Sequence, residues 1–512
     1  MPKKFVFRVQ NIHLYAVAAS VILSFWAIYV DNVINDDGTL YIRTAALISQ
    51  NNWHGALSLF KWPLYPALIS YTSQTTGLGL EHAAFLLNIV LTAVIVVCFI
   101  ELVRELGGDN KIIVAAMLTI LLYPGINEYR SEIIRDTGYV AFYLLSFLFL
   151  AKYVKQSNWK LIPGWAGALF MAALFRIEGF VFLGAMPIIL QLRRIQDIRV
   201  RAGIGIAIAG FLVISMILGM GYWQYRQPVT DIDKLSIDTV AVLFKSGWQF
   251  LGSVTSERLD VIETQLLPKY SVDYAPIVLV TIIVIILAHS VISKLTLIFS
   301  ILSLHAIHKK LFLSFPKTRV VWLSLALLNV AILSFIGTVR LFITSRWPLA
   351  LSLTLLLAAP FSLAYLYSNW RKQRGAPLKK NWMFPAVCIL LFLTAINGLT
   401  SFSSKTHIKE AGIWIRDKTP SQTTLLSNSQ ILVHYSGKQA FLNNYSWAHI
   451  IDVMKSNDIS NYNYVAVRIR RNEGAREIEV RELLGLESAK TFKNTKGDKV
   501  LIFKLSAEPG NY

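Results

Sequence analysis

The chain has 512 residues, of which 54% are hydrophobic and only 16% charged, and its mean hydropathy is +0.51. A water-soluble protein of this length has no interior large enough for that much apolar surface, so an integral membrane protein is expected. The net charge of +20 would suit nucleic acid, but the placement of the charges argues for membrane topology instead, and the two cysteines, Cys98 and Cys388, lie in apolar runs and support neither a disulfide framework nor a cysteine metal site.

Apolar runs recur at roughly 12–30, 82–100, 112–124, 138–151, 161–175, 178–192, 202–222, 275–292, 319–339, 347–368 and 383–400. This predicts an α-helical polytopic membrane protein with about 11 transmembrane helices, at ~20 residues for each crossing. Lys3, Lys4 and Arg8 ahead of the first run resemble the start of a signal peptide, but the run is long and no small-residue cleavage site follows, so an uncleaved first span is expected. Threading the spans alternately puts the connections 1–11, 101–111, 152–160, 193–201, 293–318 and 369–382 on one side, with 21 Lys or Arg against four acids. By the positive-inside rule that side faces the cytoplasm. The segment 296–308 is read as interfacial or as an extension of the helix before it, because a span there would carry Lys309, Lys310 and Lys317 outside.

The loops 31–81, 125–137 and 223–274 and everything after residue 400 then lie outside. Residues 1–400 are the membrane module. Residues 401–512 carry short alternating strands at 464–469 and 499–505 and an amphipathic helical pattern in THIKEAGIWIRDKT, which predicts a small extracytoplasmic α/β domain.

Acids near hydrocarbon are costly, about 2.5–3.5 kcal/mol at the bilayer centre even on lenient insertion scales, so they point to function. Asp36 and Asp37 follow the first span, with Gly38 read as permitting a tight turn and Tyr41 one helical turn on. Both acids would equally suit the cap of a short helix over 39–49. The second outside loop holds Glu128, Arg130, Glu132, Arg135 and Asp136; on a helix Glu132 and Asp136 would share a face, as would Arg135 and Tyr139. Arg176 and Glu178 after the fifth span, and Arg340 and Arg346 before the tenth, fall on the same membrane side. Carboxylates and arginines gathered at one surface suit an anionic substrate, phosphate in particular.

INDDGTLYIRTAALISQNNWHGAL followed by KWPLYPALIS resembles the first outside loop of GT-C type glycosyltransferases, more narrowly the protein O-mannosyltransferase and lipid A aminoarabinose transferase group. IIRD, LFRIEGF, SRWPLA and AGIWIRDKTP fall in that group's order. The resemblance implies an inverting transfer of sugar from a polyprenyl-phosphate carrier to an acceptor outside the cytoplasmic membrane, the acceptor being an envelope lipid, a glycan or a protein. It implies an Asp base, with Asp37 the better match and Asp36 the alternative, and Lys61 toward the carrier phosphate, a charge that Arg135 or Arg346 would share. Some relatives carry Glu just before that lysine, where this chain has Phe60; a second carboxylate would come from Glu132, Asp136 or Glu178. No cofactor is implied, although Asp36 and Asp37 are the residues a divalent cation would use. Nucleic acid is not an expected partner. A glycan ligase or polymerase of another polytopic family would share the carrier chemistry. A transporter would instead place ionisable groups at mid-membrane with repeat symmetry, and neither pattern is seen; a scaffold without catalysis is the remaining alternative.

Overall fold

The computed structural model describes residues 11–192, 249, 252–312, 316–372, 382–399, 405–438 and 446–505. The expected span at 202–222, the basic connection 193–201 and residues 223–248, 250 and 251 of the expected loop 223–274 lie outside the described residues. The protein is predominantly helical and carries one small sheet. Among the described residues six helices are long and apolar enough to cross a membrane: Ile12–Val30 (α1), Leu80–Glu105, Asp136–Gln156, Lys269–Leu295, Thr318–Arg340 and Leu349–Lys372. The runs expected at 112–124, 161–175 and 383–400 form shorter apolar helices. The chain is thus a multi-pass membrane protein.

The segment after 296 is a separate helix, Leu297–His308, and not a continuation of Ala275–Leu295. Thr296 breaks the run with φ +65°, a left-handed conformation that is costly for a β-branched residue. The new helix packs on Ala359–Lys372, to which His305 Nδ1 is joined through Ser362 Oγ at 2.7 Å.

The chain folds into two compact units. One comprises residues 1–19, 91–125 and 135–394; the other comprises 20–90, 126–134 and 395–512. The first holds most of the apolar helices. Asp136–Gln156 (α2) packs along Ile162–Phe175 (α3), and Tyr143 bridges helices by placing its hydroxyl 2.9 Å from both Thr354 Oγ1 and Asn329 Nδ2.

The second unit combines the helices of the segment 31–81 with the C-terminal segment. Asp36–Ser49 (α4), Trp53–Leu59 (α5) and Leu64–Thr76 (α6) pack together. The C-terminal sheet has the order β1 (Leu425–Ser427), β2 (Tyr464–Ile469), β4 (Lys499–Lys504), β3 (Lys490–Lys493); β1 and β2 run parallel and the other pairs antiparallel. Alternation fixes its faces. Val465, Val467, Ile469, Leu501 and Phe503 bury one side against Ile450, Met454 and Val480 of two helices, while the helix Thr406–Lys418 lies on β3 and β4.

Candidate functional site

In the second unit the chain leaves α1 and crosses from Asp31 to Asn35 before α4 begins at Asp36. Asn35 occupies the cap position, yet its side chain makes no cap bond. It pairs with the 126–134 loop instead: Asn35 Oδ1 accepts from the Ile133 N–H at 2.8 Å and its amide donates to the Ile133 carbonyl at 3.3 Å. Gly38 is helical, so its role is close approach and not the tight turn expected. A Cβ there would meet Asn35 Oδ1 and Ile34 Cγ1 at 2.8 Å and Ile133 Cβ at 3.1 Å.

Asp36 and Asp37 therefore occupy the first turn of α4, where the exposed N–H groups and helix dipole favour negative charge. At 3.6 residues per turn they face different ways. Asp37 shares its side with Tyr41, Thr44 and Ile48, all buried. The Tyr41 ring is packed edge-on against Phe60 and Tyr65, with centroids 5.3 and 5.2 Å away. Tyr65 continues the contact by donating to Asn88 Oδ1 at 2.9 Å, and Asn88 donates to the Glu132 carbonyl at 2.6 Å. Asp36, exposed, lies on the stripe of Leu40, Arg43 and Leu47. Those three residues, with Ser58 and Leu59 of α5 and Gln430 of the C-terminal segment, line a cavity of about 580 Å³. Lys61 is exposed and directly follows Phe60, so α5 and its exit set the position of both.

Gln430 reaches the cavity because the helix Gln430–Ser436 is fastened to the first loop. Thr39 Oγ1 lies 3.0 Å from Gln430 Oε1. The Tyr435 hydroxyl accepts from the Ile34 N–H at 2.9 Å and donates to Glu81 Oε1 at 3.1 Å, with His434 Nε2 3.6 Å from the other Glu81 oxygen. Lys409 donates to the Asn32 carbonyl at 2.8 Å and covers the Tyr435 ring. Burial, with Glu81 adding to it, pushes the Tyr435 hydroxyl above its ordinary pKa, so it stays a donor. Burial likewise raises the carboxyl of Asp31, outweighing the nearby Lys405 charge.

The acidic loop 126–134 differs from its expected form. The helix starts only at Asp136, so Glu132 shares no helical face with it. Arg130, expected among the outward cations, is 2% exposed. It donates to Asn127 Oδ1 at 2.9 Å, the Ser20 carbonyl at 2.8 Å and Ser24 Oγ at 2.7 Å, and burial lowers its pKa to about 10, which leaves it charged at neutral pH.

In the first unit four expected site residues come together. Arg176 is ion-paired with Asp136 and with Glu178, its Nε lying 3.2 Å from both Glu178 oxygens. Arg346 Nη1 stands 3.8 Å from Asp136 Oδ2. The Arg176 guanidinium also lies over the Tyr139 ring, 5.6 Å from its centroid. Arg135 precedes this cluster at the start of α2 without capping it. The adjoining crevice, bounded by Tyr139, Asn329 and Trp347, has about 10 Å³, room for roughly one water and not a sugar.

Sequence reasoning missed Gln430, Glu81, His434 and Tyr435. Gln430, His434 and Tyr435 lie about 350 to 400 positions from the first-loop residues they meet, Glu81 among them, and no local spacing signals such contacts.

No family model and no curated protein sequence matches the chain. Among solved structures, the oligosaccharyltransferase AglB of Archaeoglobus fulgidus in its apo form aligns over 97% of this chain and 74% of its own, with a TM-score of 0.54 and 11% identity. AglB in complex with an inhibitory peptide and a dolichol-phosphate aligns over 95% and 74%, with a TM-score of 0.50 and 12% identity. ArnT of Cupriavidus metallidurans bound to undecaprenyl phosphate aligns over 96% and 97% at 10% identity, with a lower TM-score of 0.49. At such identities the likeness is one of fold alone: the chain shares its fold with AglB, which agrees with the resemblance read from the sequence.

Proposed function

We propose that this protein is a glycosyltransferase of the cytoplasmic membrane that moves a sugar from a polyprenyl-phosphate carrier to an extracytoplasmic lipid, glycan or protein. The observation that carries the reading is the acidic pair Asp36–Asp37 at the head of a surface helix beside a cavity of about 580 Å³. The fold shared with AglB, one of whose structures holds a dolichol-phosphate, supports a lipid-linked donor. A carrier of this kind keeps its tail in lipid and its phosphate at headgroup level, which is where loops adjoining spans present charge.

In the proposed reaction an acceptor hydroxyl oxygen attacks the anomeric carbon while a carboxylate of the pair takes its proton. The bond from that carbon to the phosphate oxygen breaks, the carbon inverts, and polyprenyl phosphate leaves with the electron pair. Lys61, Arg135 and Arg346 keep the donor-phosphate role as proposals, each tested by its own replacement with Ala. Asp136 and Glu178 are engaged by Arg176, so they act in holding that arginine, and Glu132 remains the candidate for a second acid. The base is Asp37 by the sequence resemblance and Asp36 by its position on the cavity stripe. Asn at the true base lowers transfer by the ~10²–10⁴ typical of general-base removal, and Asn at the other lowers it less. Chelation leaves transfer unchanged.

The test supplies purified, reconstituted protein with either polyprenyl-phosphate sugars or nucleotide sugars and follows sugar transfer to a membrane extract. Transfer from the lipid-linked donor alone is expected. Turnover with nucleotide sugar alone, or full activity of both Asn variants, refutes the reading.

A further inference from the structure

We infer that the cavity between α4, α5 and the Gln430–Ser436 helix binds the anionic group of a saccharide-bearing substrate, with Arg43 as its charge contact and Gln430 as its orienting contact. The inference rests on the glycosyl-transfer reading for its choice of saccharide. Its chemistry comes from the cavity. A volume of about 580 Å³ lies within the range of small-molecule sites. Leu40, Leu47 and Leu59 supply apolar wall of the kind that the C–H faces of a sugar cover, while Ser58 and Gln430 offer a hydroxyl and an amide to its hydroxyl groups. The lining contains no acid, and its one ionised group is the Arg43 guanidinium, exposed and without an ion-pair partner among the described residues.

Arg43 stands two helical turns from Asp36 on the same stripe of α4, a rise of about 10.5 Å. A headgroup that places an anion on Arg43 therefore extends along the stripe toward Asp36. Gln430 is not a passing surface residue. Thr39 meets its side chain, and the Tyr435 hydroxyl ties its helix to Ile34 and Glu81, so the C-terminal segment delivers one wall of the cavity. The segment thereby acquires a role in selecting substrate. The anion itself has two sources, the phosphate of the carrier or a charged group on the acceptor saccharide.

Binding is measured without turnover, by titrating the purified protein in nanodiscs with polyprenyl phosphate, with glucose 6-phosphate and with glucose. At least one of the two anionic probes is expected to bind, and glucose far more weakly. Arg43→Ala weakens that binding about 10- to 100-fold, as loss of a charge-assisted contact does. Arg43→Lys, which keeps the charge, retains most of the affinity, and Gln430→Ala costs about 3- to 10-fold. Loss confined to polyprenyl phosphate assigns the cavity to the donor phosphate, and loss confined to glucose 6-phosphate assigns it to the acceptor. Failure of both anionic probes to bind, anion binding that Arg43→Ala leaves unchanged, or glucose binding as tight as that of the anionic probe that binds, overturns the inference. Arg43-dependent binding in a protein that transfers no sugar from lipid-linked donors would instead sink the reaction and leave the cavity assignment standing.

Discussion

Replacing Tyr435 by Phe removes one oxygen from the clasp that joins the C-terminal segment to the loop 31–81. The ring contacts with Lys409 and His434 remain, so the variant isolates the hydroxyl. That hydroxyl makes two bonds, from the Ile34 N–H at 2.9 Å and to Glu81 at 3.1 Å. Ile34 is 0% exposed, so its N–H is left buried without an acceptor, at about 1–3 kcal/mol. Glu81 keeps His434 3.6 Å away, and the second lost bond adds about 1 kcal/mol. The sum, about 2–4 kcal/mol, corresponds to a ~30- to 1,000-fold rise in local opening at 1.4 kcal/mol per tenfold. Hydrogen exchange followed by mass spectrometry reads this directly. Peptides covering 31–40 and 425–438 exchange faster in the variant, while peptides from 136–156, in the other unit, are unchanged. Because the hydroxyl's pKa is raised, the wild-type protection does not weaken between pH 7 and 9 once intrinsic exchange is corrected for. Equal exchange of both clasp peptides in the two proteins would show that the clasp does not hold this segment.

Gly38→Ala puts a methyl group against Asn35, Ile34 and Ile133, so it lowers thermal stability by about 1–3 kcal/mol, measured by melting in detergent; an unchanged melt refutes the close approach. Asp31 has a raised carboxyl pKa and one carboxylate oxygen buried without a hydrogen-bond partner among the described residues. The folded state therefore binds its proton more tightly than the unfolded one, and ionisation opposes folding as pH rises above the ordinary value of 3.8. Asp31→Asn is accordingly more stable than wild type at pH 7, with the gain vanishing near pH 3.8; a gain independent of pH refutes this cause. For sidedness, Cys at Thr75 and at Ala489, both exposed, reacts with a membrane-impermeant thiol reagent in intact cells above the wild-type background. Labelling only after lysis reverses the orientation.

The sequence by itself determined the elements whose cause is local. Apolar runs of sufficient length became membrane helices, because a backbone in lipid must satisfy its own hydrogen bonds and length alone sets the crossing. The period-two pattern of 464–469 became β2 over the same residues, and THIKEAGIWIRDKT became a helix. The first-loop acids were visible as well, since two adjacent carboxylates after a span are anomalous in any structure. Tertiary structure decided what each charge touches. Arg130 and Arg176 look alike in the sequence, yet one is buried among serine hydroxyls and the other is clamped by two carboxylates. Gly38 reads as a turn residue, but it is helical and small because Ile133 approaches it. Asp36 and Asp37 are equivalent as letters, and only the packing of α4 against its neighbours makes one share the stripe of the cavity-lining residues and the other the buried side. Gln430 and Tyr435 belong to the same surface as Thr39 and Ile34 through contacts that span about four hundred residues. Periodicity carries information over a few turns of a helix or strand. Contacts of that separation are fixed by how whole elements pack, and no local pattern encodes them.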